Sequence, residues 1–243
     1  MLAYDADLEL FRDNFRRFMN EHIAPHYEQW ERDGLMPRSV WNALGENGFL
    51  CVDVPEEYGG YGVPTHYSLM LVEESARAGF SALSTGISCH SEIAAPYILH
   101  IGSEEQKQCW LPKMVSGEVV GAIGMTEPGA GSDLQSMRSS AILQGDHYLL
   151  NGSKTFISNG QHADLVVLAA KTDPQARAKG VSLLLVDTHL DGFKKGTNLE
   201  KIGLHSQDTS ELFYDNVKVP KEQLLGQAGQ GFAYLMQELP RER

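Results

Sequence analysis

The residues best suited to chemistry lie in VVGAIGMTEPGAGSD, 119–133, where an apolar run opens abruptly into Pro128, Gly129, Gly131 and small hydroxyl residues. The run predicts a buried strand. Glu127 precedes a proline and is predicted extended, Pro128-Gly129 is a favoured centre for a tight turn, and glycines at 129 and 131 let the backbone approach a ligand closely. Such a loop suits a flat, polar cofactor. The G-x-G-x-x-G spacing of a dinucleotide-binding turn is absent, and no convincing helix follows to set its N-terminus on a pyrophosphate. Nor does Gly-Lys-Ser/Thr follow, so the loop is not a P-loop. An ordinary exit from a strand into a loop is the competing reading of these residues.

Two charged segments add to this. FAYLMQELPRER, 232–243, predicts a helix in which Glu238 and Glu242 fall four residues apart. In an unbroken helix two like charges share a face there, and one carboxylate titrates high. Pro240 opposes that geometry by rotating the two apart. KTDPQARAKG, 171–180, sets Lys171, Arg177 and Lys179 against Asp173 in a chain of net charge −12. Solvated surface charge is the alternative for both segments.

The elements that must position these residues have two textures. From 5 to about 30, Leu8, Phe11, Phe15, Phe18 and Ile23 paint one helical face, with Pro25 kinking or dividing it. A second helix is predicted from Pro37 to about Asn47 with Val40, Trp41 and Leu44 inward. PEEYGGYGVP, 55–64, reads as a loop. Further helices are predicted over 66–78 and 82–100, and a capping box, Ser103 with Gln106, opens one over 103–116. His90 and His100 on these helices read as packed residues, since no H-E-x-x-H or similar metal spacing accompanies them. Residues 1–118 therefore predict an all-helical domain. Beyond Gly117 come short β-branched runs, 119–125, 139–143, 147–150, 155–158, 165–170, 181–186 and 212–214, divided by turns. Their spacing predicts an antiparallel barrel or sandwich over 119–228, and helix resumes over 229–243.

Composition sets the class. At 243 residues the chain exceeds a usual single domain, so two domains are the default. With 32 acidic against 20 basic side chains it is poorly suited to wrapping nucleic acid or lying on an anionic membrane. Cys51, Cys89 and Cys109 are odd in number and lack C-x-x-C spacing, which points away from a disulfide framework or zinc and towards a reducing, cytoplasmic compartment. No apolar run approaches the ~20 residues that span a bilayer, and no export signal is evident. The Asn151-Gly152-Ser153 sequon is accordingly read as accidental.

MTEPGAGSD (125–133) followed by NGSKTFISNG (151–160) resembles the acyl-CoA dehydrogenase family in content, order and separation. The resemblance extends over the chain through PEEYGG (55–60), GSEEQ (102–106), SQDTSELFYDNVKVP (206–220) and LPRER (239–243). It implies an α+β protein holding the helical and middle β domains and the first helix of a third, helical domain. It also implies FAD, lined by Ile123, Gly124, Met125, Thr126, Glu127, Pro128, Gly129, Ala130, Gly131 and Ser132 and by Phe156, Ile157 and Ser158. In such enzymes the Thr126 and Ser158 positions hydrogen-bond the flavin ring. Phe156 stands where relatives often carry another aromatic, and Ser132 and Ala178-Lys179 match positions touching acyl-CoA.

Dehydrogenating an acyl thioester needs a base for the α-proton and an acceptor for the β-hydride, which no ordinary side chain provides. A carboxylate with its pKa raised by burial suits the first task. LPRER resembles the LPxER of long-chain and isovaleryl members, which makes Glu242 the expected base, with Pro240, Arg241 and Arg243 beside it in the acyl-CoA site. The family's other position for the base lies late in the third domain. The resemblance thus implies α,β-dehydrogenation of acyl-CoA to trans-2-enoyl-CoA, as in fatty-acid β-oxidation, with electrons passed to an electron-transfer flavoprotein, in a homo-oligomer, tetramer or dimer. Alternatives are an oxidase or flavin hydroxylase of the same fold, or a non-catalytic acyl-CoA-binding module.

Overall fold

In a computed structural model, which describes residues 6–242, the chain is helical to residue 115 and then enters a sheet. Helix α1, Ala6–Phe18, buries Leu8, Phe15 and Phe18, with acids in its first turn and arginines in its last, as the helix dipole favours. It runs on as a π turn, Met19–Ile23, and breaks at Pro25 before α2, Tyr27–Asp33, which ends on a left-handed Gly34. Helix α3, Arg38–Glu46, buries the predicted Val40, Trp41 and Leu44. After a single 3-10 turn, Glu56–Tyr58, in the 55–64 loop comes α4, His66–Arg77.

The stretch 82–100 is helical throughout, as its periodicity predicts, but a π segment interrupts its α register. It divides into α5, Ser81–Ile87, a π turn, Ser88–Ala94, and α6, Ala95–Ile101. The extra residue per turn of a π segment rotates the following face, so Cys89, His90, Ser91 and Glu92 are all buried in succession. Helix α7, Glu104–Val115, carries both halves of the predicted capping box, Gln106 N–H to Ser103 Oγ at 3.2 Å and Ser103 N–H to Gln106 Oε1 at 3.0 Å.

Eight strands among the described residues make one mixed sheet. They are β1 Gly121–Gly124, β2 Ser140–Gln144, β3 His147–Ser158, β4 Leu165–Lys171, β5 Val181–Asp187, β6 Phe193–Asn198, β7 Thr209–Pro220 and β8 Leu224–Leu225. The path is β6-β7-β3-β2-β4-β5-β8, with β1 on β4. Pairing is antiparallel except β1 with β4 and the short contact of β2 with β4, which are parallel. The long stretches separating each pair in sequence permit the crossover that parallel strands require.

The runs 147–150 and 155–158, read as two strands, are one. Gly152, at φ 140°, and register shifts flanking 150–152 and 154–157 let β3 bend against β7 without breaking. Strands β6 and β8 escaped prediction because FKKGTN has no apolar alternation and β8 is two residues long.

Helix α8, Gly231–Glu242, returns to both halves of the molecule. A Cβ on Gly231 would sit 2.7 Å from the backbone of Ser182, so the helix starts in direct contact with β5. Leu235 then joins Tyr97, Ile98, Leu183 and Leu225 in a core shared by helices and sheet. Pro240 is tolerated because the carbonyl it strips of a partner belongs to Met236 on the exposed face. No helix of the described residues is long and apolar enough to cross a membrane.

Candidate functional site

A cleft of about 330 Å³ separates the helical wall from the exit of the sheet. One side is Ile123, Met125 and Thr126 after β1 with Phe156, Ile157 and Ser158 at the end of β3; the other is Val72, Ser84, Thr85, Ser88, Cys89 and Ile93. Two motifs some thirty residues apart meet because β1 lies along β4 and β3, and Thr155 N–H donates to Thr126 O at 2.9 Å. Phe156 is 66 % exposed and has φ +59°, a conformation that costs a bulky residue energy. An aromatic held out of the core in this way offers a flat wall to a planar ligand.

The loop after the cleft folds as its sequence predicts. Glu127 N–H bonds Ala130 O at 2.9 Å and Ala130 N–H bonds Glu127 O at 3.1 Å, closing a turn with Pro128 and Gly129 at its centre. Gly129 lacks positive φ, so this is a type I turn. A Cβ at Gly129 or Gly131 would meet nothing within 4 Å, so the backbone there faces open space on the side a ligand can take. Pro128, Gly129, Gly131 and Ser132 are exposed on this lip, while Ala130 is buried. Gly124 serves packing, since its Cβ would meet Leu168 at 2.8 Å.

The side chain of Glu127, a residue expected to line the cofactor, holds the loop from below. Its carboxylate is buried, 2.9 Å from Lys154 Nζ, and accepts the N–H groups of Arg138 at 2.6 Å and Ser139 at 3.0 Å. Lys154, 0 % exposed, also donates to Met125 O at 2.9 Å. Burial acts to raise Glu127, but Lys154 and the backbone donors outweigh it and hold the carboxyl below its ordinary value. Lys154 was not foreseen, because its partner stands 27 residues away.

The NG of the second motif is fixed similarly. Asn159, at φ +61°, donates to Gly86 O at 3.0 Å and Gly121 O at 3.4 Å, while Gln161 N–H and His162 converge on Asp208 of the SQDTS segment. His90, on the π turn, accepts Gly121 N–H at Nδ1, 2.9 Å, and faces Met114 O with Nε2, 3.0 Å, so it ties the helical wall to β1 as a packed, neutral residue. Burial lowers its pKa to about 4.

Its folded value lies below the ordinary ~6.5, so the unfolded chain binds the proton first. Stability is full above pH ~6.5 and is lost as the pH falls towards 4, by up to ~3 kcal/mol from this residue. Urea unfolding between pH 7 and 4 is expected to show this slope and to lose it in His90→Gln; an unchanged slope contradicts the assignment.

The carboxylates of α8 share one face. Glu238 lies 3.0 Å from His100 Nδ1, and Glu242 Oε1 accepts the hydroxyl of Tyr97 at 2.5 Å. Cys89 in the cleft wall has its thiol pushed up to about 12, by burial first, with the charges of Asp208 and Glu242 adding to it. Pro240 therefore does not rotate the two glutamates apart, and it lies exposed beside them. Arg241, expected against the substrate, is committed to Asp53 and to Glu92 at 2.8 Å, which anchors the end of α8 to the helical domain. Arg243 lies outside the described residues.

In the basic segment Lys171 is buried and donates to Arg177 O at 2.8 Å, which leaves Arg177 and Lys179 as its exposed cations. The half-buried Ala178 and the exposed Lys179 belong to a 3-10 turn, Arg177–Gly180, packed beside Leu134–Ser136, the turn that follows Ser132, and beside α8. Missed by sequence reasoning was the helical wall. Ser84, Thr85, Ser88 and Cys89 are small and carry no periodic signal.

Known proteins are similar to this chain in sequence and fold. The family description "Acyl-CoA dehydrogenase, N-terminal domain" matches residues 5–118 and "Acyl-CoA dehydrogenase, middle domain" matches 122–217. The mitochondrial long-chain specific acyl-CoA dehydrogenase of Sus scrofa is 44% identical over 242 residues, covering 99% of this chain and 56% of that protein. An acyl-CoA dehydrogenase structure from Geobacillus kaustophilus superposes with TM-score 0.96 at 51% identity, covering 99% of this chain and 63% of the other. The Bacillus anthracis acyl-CoA dehydrogenase complexed with FAD gives 0.91 at 31% identity, covering 99% and 42%. The chain thus spans a little over half the length of the Sus scrofa relative.

Proposed function

The chain belongs to the acyl-CoA dehydrogenase family, and from that premise we propose that it forms the FAD- and acyl-CoA-binding part of an enzyme that introduces a trans α,β double bond into an acyl-CoA. The observation that carries this reading is the cleft, with Thr126, Phe156 and Ser158 facing a wall of small side chains. FAD fits these residues: the open backbone at Gly129 and Gly131 leaves room, the two hydroxyls stand where a ring's polar edge can be bonded, and Phe156 supplies a flat surface. The flavin supplies the acceptor for the β-hydride.

Each of the chain's own groups has a task. Glu242 takes the α-proton, and its place in the last turn of α8 is fixed by the Arg241 anchor one residue before it. The apolar side chains of Val72, Ile93, Ile123 and Met125 exclude water from the cleft. The lip at Ser132 and the turn at Ala178-Lys179 take the CoA end. Domains follow as 1–118, 119–228 and the start of a third at 229–243. Electrons leave to an electron-transfer flavoprotein, and the full-length protein works as a homo-oligomer.

Titrating the full-length protein with FAD tests the cofactor assignment. Visible absorbance and bound flavin are expected, and Thr126→Ala or Ser158→Ala should shift the affinity or potential; a protein that gains no absorbance contradicts it. Peroxide released under air on adding acyl-CoA would favour the oxidase reading. Lys179→Glu is expected to weaken acyl-CoA binding several-fold at low salt with maximal turnover nearly unchanged, since a contact to the remote nucleotide holds ground and transition states alike. The loss should shrink in high salt. Equal affinity of mutant and wild type at low salt, measured by calorimetry, excludes Lys179 from the site.

A further inference from the structure

Tyr97 is 0 % exposed, sealed among Ile98, Leu183 and Leu235 where α6, β5 and α8 meet. A phenylalanine fills such a place without burying a hydroxyl, so the polar atom requires a partner. That partner is Glu242, whose Oε1 lies 2.5 Å from the phenol oxygen, the short distance of an O–H donating to a carboxylate. Building on the reading of Glu242 as base, we propose that Tyr97 is its positioning residue: the phenol holds the carboxylate against the helical wall and keeps it ionised.

Several charged and titratable groups surround the pair. On α8, Glu238 lies one turn before Glu242 and is engaged by His100 of α6, one turn after Tyr97, so two carboxylates of one helix meet two donors of the other. On the π turn, Cys89 lies on the cleft side, and Glu92 with Asp53 holds Arg241. Glu238 repels a second negative charge and raises the proton affinity of Glu242, whereas the Tyr97 hydroxyl bonds the charged form and lowers it. Tyr97 is thus a buried donor that bonds the ionised form of Glu242. Burial and Glu242 together push the phenol's own pKa far above its ordinary value, so it stays a donor throughout the working range. Arg241 fixes the backbone of the last turn, and Tyr97 fixes the side chain that reacts.

The test is the pH profile of single-turnover flavin reduction by acyl-CoA in the full-length protein. Tyr97→Phe is expected to move the acid limb up by about one pH unit, a rate loss of about tenfold below it, while the high-pH plateau stays within a few-fold of wild type. A merely structural role lowers the whole profile or leaves it in place. Incorporating 3-fluorotyrosine at 97 preserves every contact and makes the phenol a stronger donor, so the limb should move the other way even where Tyr97→Phe folds poorly. An infrared difference titration, with the band assigned by its loss in Glu242→Gln, reads the same shifts on the carboxyl itself. Superimposable titrations of wild type and both Tyr97 forms overturn the proposal. Near wild-type flavin reduction in Glu242→Gln overturns the reading of the base instead, and the infrared shifts then still report the Tyr97–Glu242 bond.

Discussion

Glu242→Gln in the full-length protein is expected to slow flavin reduction by acyl-CoA about 10²–10⁴-fold, the usual loss when a general base is removed. The amide is nearly isosteric and still accepts the Tyr97 hydroxyl through its oxygen, so fold, bound flavin and acyl-CoA affinity should persist. The loss then lies in the chemical step and not in binding, which appears as a fall in kcat without a rise in KM. Anaerobic single-turnover mixing isolates that step from transfer to an electron acceptor. A near wild-type rate places the base elsewhere, most simply at the family's other position for the base.

The second large effect lies beneath the loop that follows β1. Lys154→Met leaves the buried Glu127 carboxylate without its cation and frees the Met125 carbonyl, so about 3–5 kcal/mol of stability should be lost, as when one partner of a buried pair is removed. Lys154→Met with Glu127→Gln should recover part of it, because no buried charge is then stranded, although the single amide oxygen can replace only one of the two carboxylate oxygens that accept the Arg138 and Ser139 N–H groups. Urea unfolding gives both numbers. If the double variant is no more stable than the single one, the cost comes from lost packing of the lysine stem and not from a stranded charge.

How far the sequence carried the description depends on the range of the physics involved. The capping box at Ser103, the inward Val40, Trp41 and Leu44 of α3, and the Pro128-Gly129 turn are local, so their residues alone specify them. The division of 82–100 was not legible, because a π turn leaves the apolar residues in place and changes only which of them face inward. That turn supplies Ser88, Cys89 and Ile93 of the cleft wall, which is why the wall went unnoticed. Glu127 and Arg241 were both assigned to ligands by motif, and both side chains proved to be anchors whose partners, Lys154, Asp53 and Glu92, come from remote parts of the chain. A motif names positions in the chain, but which way a side chain turns there is decided by tertiary partners.

Anaerobic addition of a saturating acyl-CoA to the flavin-loaded full-length protein is the decisive measurement of α,β-dehydrogenation. The visible flavin absorbance is predicted to bleach in one exponential phase, with one equivalent of trans-2-enoyl-CoA formed per flavin and the rate falling when the α-carbon carries deuterium. Acyl-CoA that binds tightly while the flavin stays oxidised and no enoyl product forms contradicts the account.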